Sequence, residues 1–206
     1  MAHTFCGGFD LPKHSAQLAA LVGSRICHDL ISPVGAIGNG LELMEMDGQS
    51  GPEMALVHDS LANAQARIRF FRVAFGAADA GQSVAASEIR GILSGLEGAG
   101  RQELRWQPDG DVARRDARLA FLAIMCLETA LPFGGSITAS HDGASWQIAG
   151  RSKKLLIDEK LWEALNRPGA DVAPSEVQFA LLPLLLEECG TRPRTRIGPE
   201  EITIRF

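Results

Sequence analysis

The sequence predicts an α+β protein: a helical hairpin that pairs with a second copy as a dimeric four-helix bundle, followed by a domain mixing helix and strand. Two observations carry this. Two long stretches repeat apolar residues at alternating steps of three and four, the seam of a packed helix. Beyond about residue 82 that pattern gives way to shorter runs separated by Gly, Pro and Asp.

Residues 1–12, with Gly7, Gly8 and Pro12, read as a lead-in. From about Lys13 to Met46 the apolar positions Ala20, Gly23, Cys27, Leu30, Val34, Ile37, Leu41 and Met44 form one seam. The run Asp47-Gly48-Gln49-Ser50-Gly51-Pro52 breaks it and sets Pro52 at the first position of a second helix. That helix carries Met54, Val57, Leu61, Ala64, Ile68, Phe71 and Phe75 and ends near Gly76. Two antiparallel helices with one seam each cannot enclose a core, so a homodimer is expected; the alternative is cover from the carboxy-terminal half of the same chain. The hairpin takes residues 13–78 and Ala77–Gln82 reads as a linker.

A second domain is expected over residues 83–206. Helices are read at Ser83–Leu96, Val112–Leu131, Leu155–Leu165 and Ser175–Cys189, the last bent by Pro183. Strands are read at Glu103–Gln107, Ser136–Ser140, Ser145–Ala149, Arg194–Ile197 and Glu201–Phe206, with a turn at Asp142-Gly143.

The 206 residues, 46% of them hydrophobic, suffice for a proper core. A net charge of -5 with scattered Arg residues leaves no electrostatic footprint for nucleic acid. No apolar run approaches the ~20 residues of a membrane span, and a soluble, cytoplasmic protein is expected. Cys6, Cys27, Cys126 and Cys189 are widely separated in apolar settings and read as buried free thiols rather than a disulfide or metal set.

The chemistry centres on Ser24-Arg25-Ile26-Cys27-His28-Asp29-Leu30-Ile31-Ser32-Pro33. At about 100° per residue His28 lies roughly 150° round from the seam, pointing away from the core. Pro33 has no amide for the Asp29 carbonyl, so a loosened turn is expected just past the histidine. Ser24, Arg25, Ser32, Gly35, Asn39 and Glu42 read as a docking face for a partner, with Arg25 equally suited to a surface ion pair. His3, His14, His58 and His141 read as ordinary solvated or hydrogen-bonded side chains.

His28-Asp29-Leu30, two residues and then Pro33 resembles the phosphoacceptor box of histidine kinases. With Val34-Gly35-Ala36-Ile37, Asn39-Gly40-Leu41-Glu42-Leu43 and the run Arg67–Gly76, the whole chain resembles the dimeric histidine phosphotransferases of the ChpT type from alphaproteobacterial phosphorelays. The resemblance implies a kinase-like body whose second domain, a degenerate ATPase-like α/β sandwich, has lost its nucleotide site. Leu119–Leu131 resembles the kinase helix that holds magnesium through an Asn, yet it contains none, and Glu128 stands near that place. The Asp-x-Gly-x-Gly turn is absent after Ala149, and no Gly-x-Gly lid precedes Val177–Cys189. ATP chemistry is therefore not expected.

The expected reaction is transfer of a phosphoryl group from a hybrid kinase's receiver domain to His28 and on to response regulators. Asp29 orients the ring or acts as base. No cofactor of its own is expected; magnesium comes with the receiver. Arg151, Lys153 and Lys154 are a second, weaker candidate contact. An active kinase with a diverged site and a non-enzymatic dimeric adaptor are the rival readings; the second leaves the His28, Asp29, Pro33 set without purpose.

Overall fold

The computed structural model describes residues 13–47, 52–79, 81–97, 102–168 and 170–206; the lead-in and the break between the first two helices lie outside them. Helices α1 (Lys13–Asp47) and α2 (Pro52–Ala74) pack along one another as the expected hairpin. Pro33 lies inside α1, which continues past it. The loss is confined to one amide donor for the Asp29 carbonyl.

The rest of the chain alternates short elements: β1 (Ser83–Val84), α3 (Ala86–Glu97), β2 (Gln102–Trp106), β3 (Val112–Ala113), α4 (Arg114–Ala130), β4 (Gly135–His141), β5 (Trp146–Arg151) and α5 (Glu159–Ala164). A 3-10 turn at Pro174–Glu176 then leads into α6 (Val177–Glu188), and β6 (Arg194–Ile197) and β7 (Glu201–Arg205) follow. Five strands form a mixed sheet in the order β2-β4-β5-β7-β6, parallel only between β2 and β4. Its inward residues, among them Leu104, Ile137, Ala139, Ile148, Ile202 and Ile204, are buried in a core shared with the helices.

All four helices expected in the second domain are shorter than the sequence suggests: Ser83 and Val84 form β1, so α3 starts at Ala86, and Ser175 lies in the 3-10 turn, so α6 starts at Val177. Val112 and Ala113 are drawn into antiparallel pairing with β1, so α4 starts only at Arg114. The helix read over Leu155–Leu165 contracts to α5, started by Asp158, whose carboxylate accepts hydrogen bonds from the Lys160 and Leu161 amides. Every residue of α4 from Leu119 to Leu127 is buried, because the sheet lies against it on one side and α2 and α6 on others.

The far end of α2 is built into this core. Phe70, Phe71, Val73 and Ala74 are buried, and the Phe70 ring stacks on Phe121 of α4 at 4.6 Å. The last carbonyls of α2, orphaned by its end, find donors on α4: Arg114 Nη2 reaches Arg72 O at 3.0 Å and Arg118 Nε reaches Ala74 O at 3.3 Å. Arg114 Nε also holds Ala77 O at 2.9 Å, so the stretch read as a linker is pinned. Cover from within the chain thus holds for this end of the hairpin. Elsewhere on it Ile31, Val34, Leu41, Leu43, Leu61 and Ile68 stay exposed, Ile31 and Val34 at 71% and 58%.

The cysteines divide differently from expectation. Cys126 is buried in α4, whereas Cys27 and Cys189 are exposed: the seam position of Cys27 is uncovered in the single chain, and Cys189 caps α6. Cys6 lies outside the described residues. No described helix is long and apolar enough to cross a membrane.

Candidate functional site

His28 stands on α1 with 75% of its side chain exposed, the outward direction its position relative to the seam requires. Its Nδ1 lies 3.1 Å from Asp29 Oδ1. An ionised carboxylate only accepts, so Nδ1 carries the proton of this bond and the neutral ring keeps its lone pair on Nε2. Nδ1 faces the protein's own acid.

Asp29 is far less open, at 14% exposure, and its other oxygen Oδ2 accepts from Arg25 Nε at 3.0 Å. Arg25, one turn back on the same helix, is 13% exposed. Its Nη1 also donates to the backbone carbonyl of Ser175, in the 3-10 turn ahead of α6. Arg25 therefore leaves the docking face on which the sequence set it. The reason is the second domain, which packs against that side of α1 through the 3-10 turn and α6. The remaining docking residues, Ser24, Ser32, Gly35, Asn39 and Glu42, are all exposed on α1.

A second charged pair lies between the hairpin and α4. Arg67 Nη1 of α2 approaches Glu128 Oε2 at 3.6 Å, with both side chains largely buried at 21% and 16% exposure. Burial pushes the Glu128 carboxyl up; Arg67 and then Arg25 pull it back, while Asp29 adds to the rise. The residue standing near the kinase magnesium ligand is thus engaged with the hairpin. Sequence reasoning did not single out Arg67 and Ser175. A signal for Arg67 exists in retrospect: a carboxylate directly after the buried apolar run Leu119–Leu127 needs a charged partner. Ser175 contributes only a backbone carbonyl, which no side-chain pattern reveals.

The other sequence candidates lie apart. Arg151 pairs with Glu201 at 3.0 Å, and the Lys154 ammonium sits 4.8 Å from the Phe133 ring centroid. His141 is the hydrogen-bonded histidine expected, accepting from the Gly143 amide at 3.3 Å. Among the described residues no three His, Cys, Asp or Glu side chains gather as a metal-binding group.

A histidine offered to solvent from a helical hairpin, backed by a carboxylate and joined to a mixed sheet-and-helix domain, has the layout of a histidine phosphotransferase. Comparison with known proteins agrees. Residues 86–200 match the family described as histidine phosphotransferase C-terminal domain. The protein phosphotransferase ChpT of Brucella abortus (strain 2308) is 33% identical over 194 residues, 90% of this chain and 93% of that protein. A solved structure of a bacterial phosphotransferase is similar at a TM-score of 0.79 and 31% identity, covering 93% of this chain and 96% of that one. The chain belongs to the ChpT family of protein phosphotransferases.

Proposed function

We propose that this phosphotransferase works in a two-component phosphorelay, with His28 as phosphoacceptor between receiver-domain aspartates and no ATP of its own. The observation that carries the reading is the His28–Asp29 pair: an exposed ring whose Nδ1 is held at 3.1 Å by a shielded carboxylate. The Nε2 lone pair attacks the phosphorus of a receiver's aspartyl phosphate; the N–P bond forms as the P–O bond to the receiver carboxylate breaks, and that carboxylate leaves with the electron pair. The Nδ1 proton stays between ring and Asp29, which balances the positive charge growing on the imidazole. Attack of a second receiver's aspartate on the phosphoryl group reverses these steps. Magnesium, where the reaction needs it, arrives with the receiver.

The exposed Ser24, Ser32, Gly35, Asn39 and Glu42 make a small, polar surface around the ring that a receiver can approach closely. The uncovered stripe of Ile31, Val34, Leu41, Leu61 and Ile68 supports a homodimer in which two hairpins form a four-helix bundle. The domain limits follow suit, with the acceptor hairpin at 13–78 and the second domain at 83–206.

The test uses a receiver domain loaded with labelled phosphate, magnesium and no nucleotide. Wild-type protein is expected to acquire acid-labile, base-stable label, and His28→Ala to acquire none. Equal labelling of both proteins defeats the assignment. Labelling that appears only on adding ATP as donor favours the kinase reading instead.

A further inference from the structure

The second domain reaches the acceptor through one side chain. Arg25 touches two groups on different parts of the fold: Asp29 Oδ2 at 3.0 Å on its own helix, and the Ser175 carbonyl in the turn before α6. A planar guanidinium has several N–H donors in a fixed fork, so filling both contacts defines its orientation. Asp29 is held in turn, with Oδ2 committed to Arg25 and Oδ1 left for His28 Nδ1. The contacts run in one line: second domain, Arg25, Asp29, imidazole. The 13% exposure of Arg25 makes this an internal link rather than a receiver contact.

The frame behind this line is cross-linked by charged side chains. Arg67 and Glu128 tie α2 to α4 at 3.6 Å, and Arg114 and Arg118 grip the last carbonyls of α2. The second domain is therefore tied to the hairpin at several points, and the 3-10 turn that carries Ser175 packs against α1 beside Arg25.

We infer that Arg25 is a positioning residue through which the seated second domain sets the reactive tautomer of His28, keeping the proton on Nδ1 and the lone pair on Nε2. This rests on the phosphotransfer reading and adds a role for the second domain: it shapes the acceptor without holding a nucleotide.

The experiment compares wild type with Arg25→Gln and Arg25→Lys. Nitrogen-15 spectra of the free protein's imidazoles report the His28 tautomer with no receiver present. Transfer from a phosphorylated receiver is then measured across receiver concentration. Lysine keeps the charge beside Asp29 but lacks the fork that spans both contacts. Both variants are expected to populate the Nε2–H tautomer and to lower the saturating rate roughly tenfold to a hundredfold, with KM for the receiver within about twofold of wild type. Wild-type tautomer and saturating rate in both variants overturn the inference. So does a raised KM with an unchanged saturating rate, the signature of a docking residue. A Lys variant equal to wild type beside a defective Gln variant assigns the effect to charge at Asp29 and removes the second domain from it. Should Arg25→Gln fail to fold, Arg25→Lys decides alone. If wild-type protein accepts no phosphate, the phosphotransfer reading fails, while the tautomer spectra still decide the positioning role.

Discussion

His28 and His141 are both exposed imidazoles with a hydrogen bond at Nδ1, and the partner separates them. His141 accepts from a turn amide at 3.3 Å, which occupies its Nδ1 lone pair, whereas His28 faces a carboxylate at 3.1 Å, which leaves the lone pair on Nε2 toward solvent. Asp29→Asn is expected to keep the acceptor site and lose the charge that balances the imidazolium. Saturating transfer from a phospho-receiver should fall by about a hundredfold while the label remains on His28. A rate within twofold of wild type would assign Asp29 to the helix surface alone. The His28–Asp29 pair was legible in the sequence because both residues sit on one turn. The direction of Arg25 was not: a helical wheel turns it toward solvent, and only the later docking of the Ser175 turn covers it.

Elements with strong local chemistry kept their expected places. The β4–β5 turn was readable from Asp142-Gly143, and the Asp142 carboxylate accepts from the Ser145 and Ala144 amides at 2.8 and 3.0 Å. These bonds, with Arg205 behind them, hold its carboxyl down from 3.8 to about 2. A depressed folded value contributes stability that is present above 3.8 and is lost as pH falls toward about 2. Asp142→Asn should therefore flatten the acid limb of urea-unfolding stability over that interval, and an unchanged slope would contradict the assignment. Gly135 follows the same logic: at φ 141° an added Cβ would stand 2.2 Å from the Arg151 carbonyl oxygen, so the entry to β4 excludes a side chain. Boundaries set by distant pairing were not readable. Nothing within Val112-Ala113 announces β1, thirty residues earlier in the chain and on the other side of α3.

At the scale of the molecule, the hairpin is only partly covered by the second domain. Its far end is buried against α3 and α4 with Phe70 on Phe121, and its middle leaves an apolar stripe uncovered. The sequence showed the seam but offered no sign that one end of it belongs to the second domain, because Phe71 and Phe75 continue the alternating three-and-four steps of Leu61, Ala64 and Ile68. Val34→Asp or Ile68→Asp, each placing a charge on the stripe, should convert a dimer to a monomer in light scattering while the sheet domain keeps its circular dichroism. Wild-type protein that is monomeric at every concentration would remove the bundle.

The most direct measurement of the central claim is the position of the phosphoryl group. Wild-type protein would be loaded from a phosphorylated receiver without nucleotide, then examined by phosphorus-31 spectroscopy and by fragmentation of its phosphopeptides at alkaline pH. The expected result is a single phosphoramidate on Nε2 of His28. Phosphate on any other residue, or on Nδ1 of His28, would contradict the account.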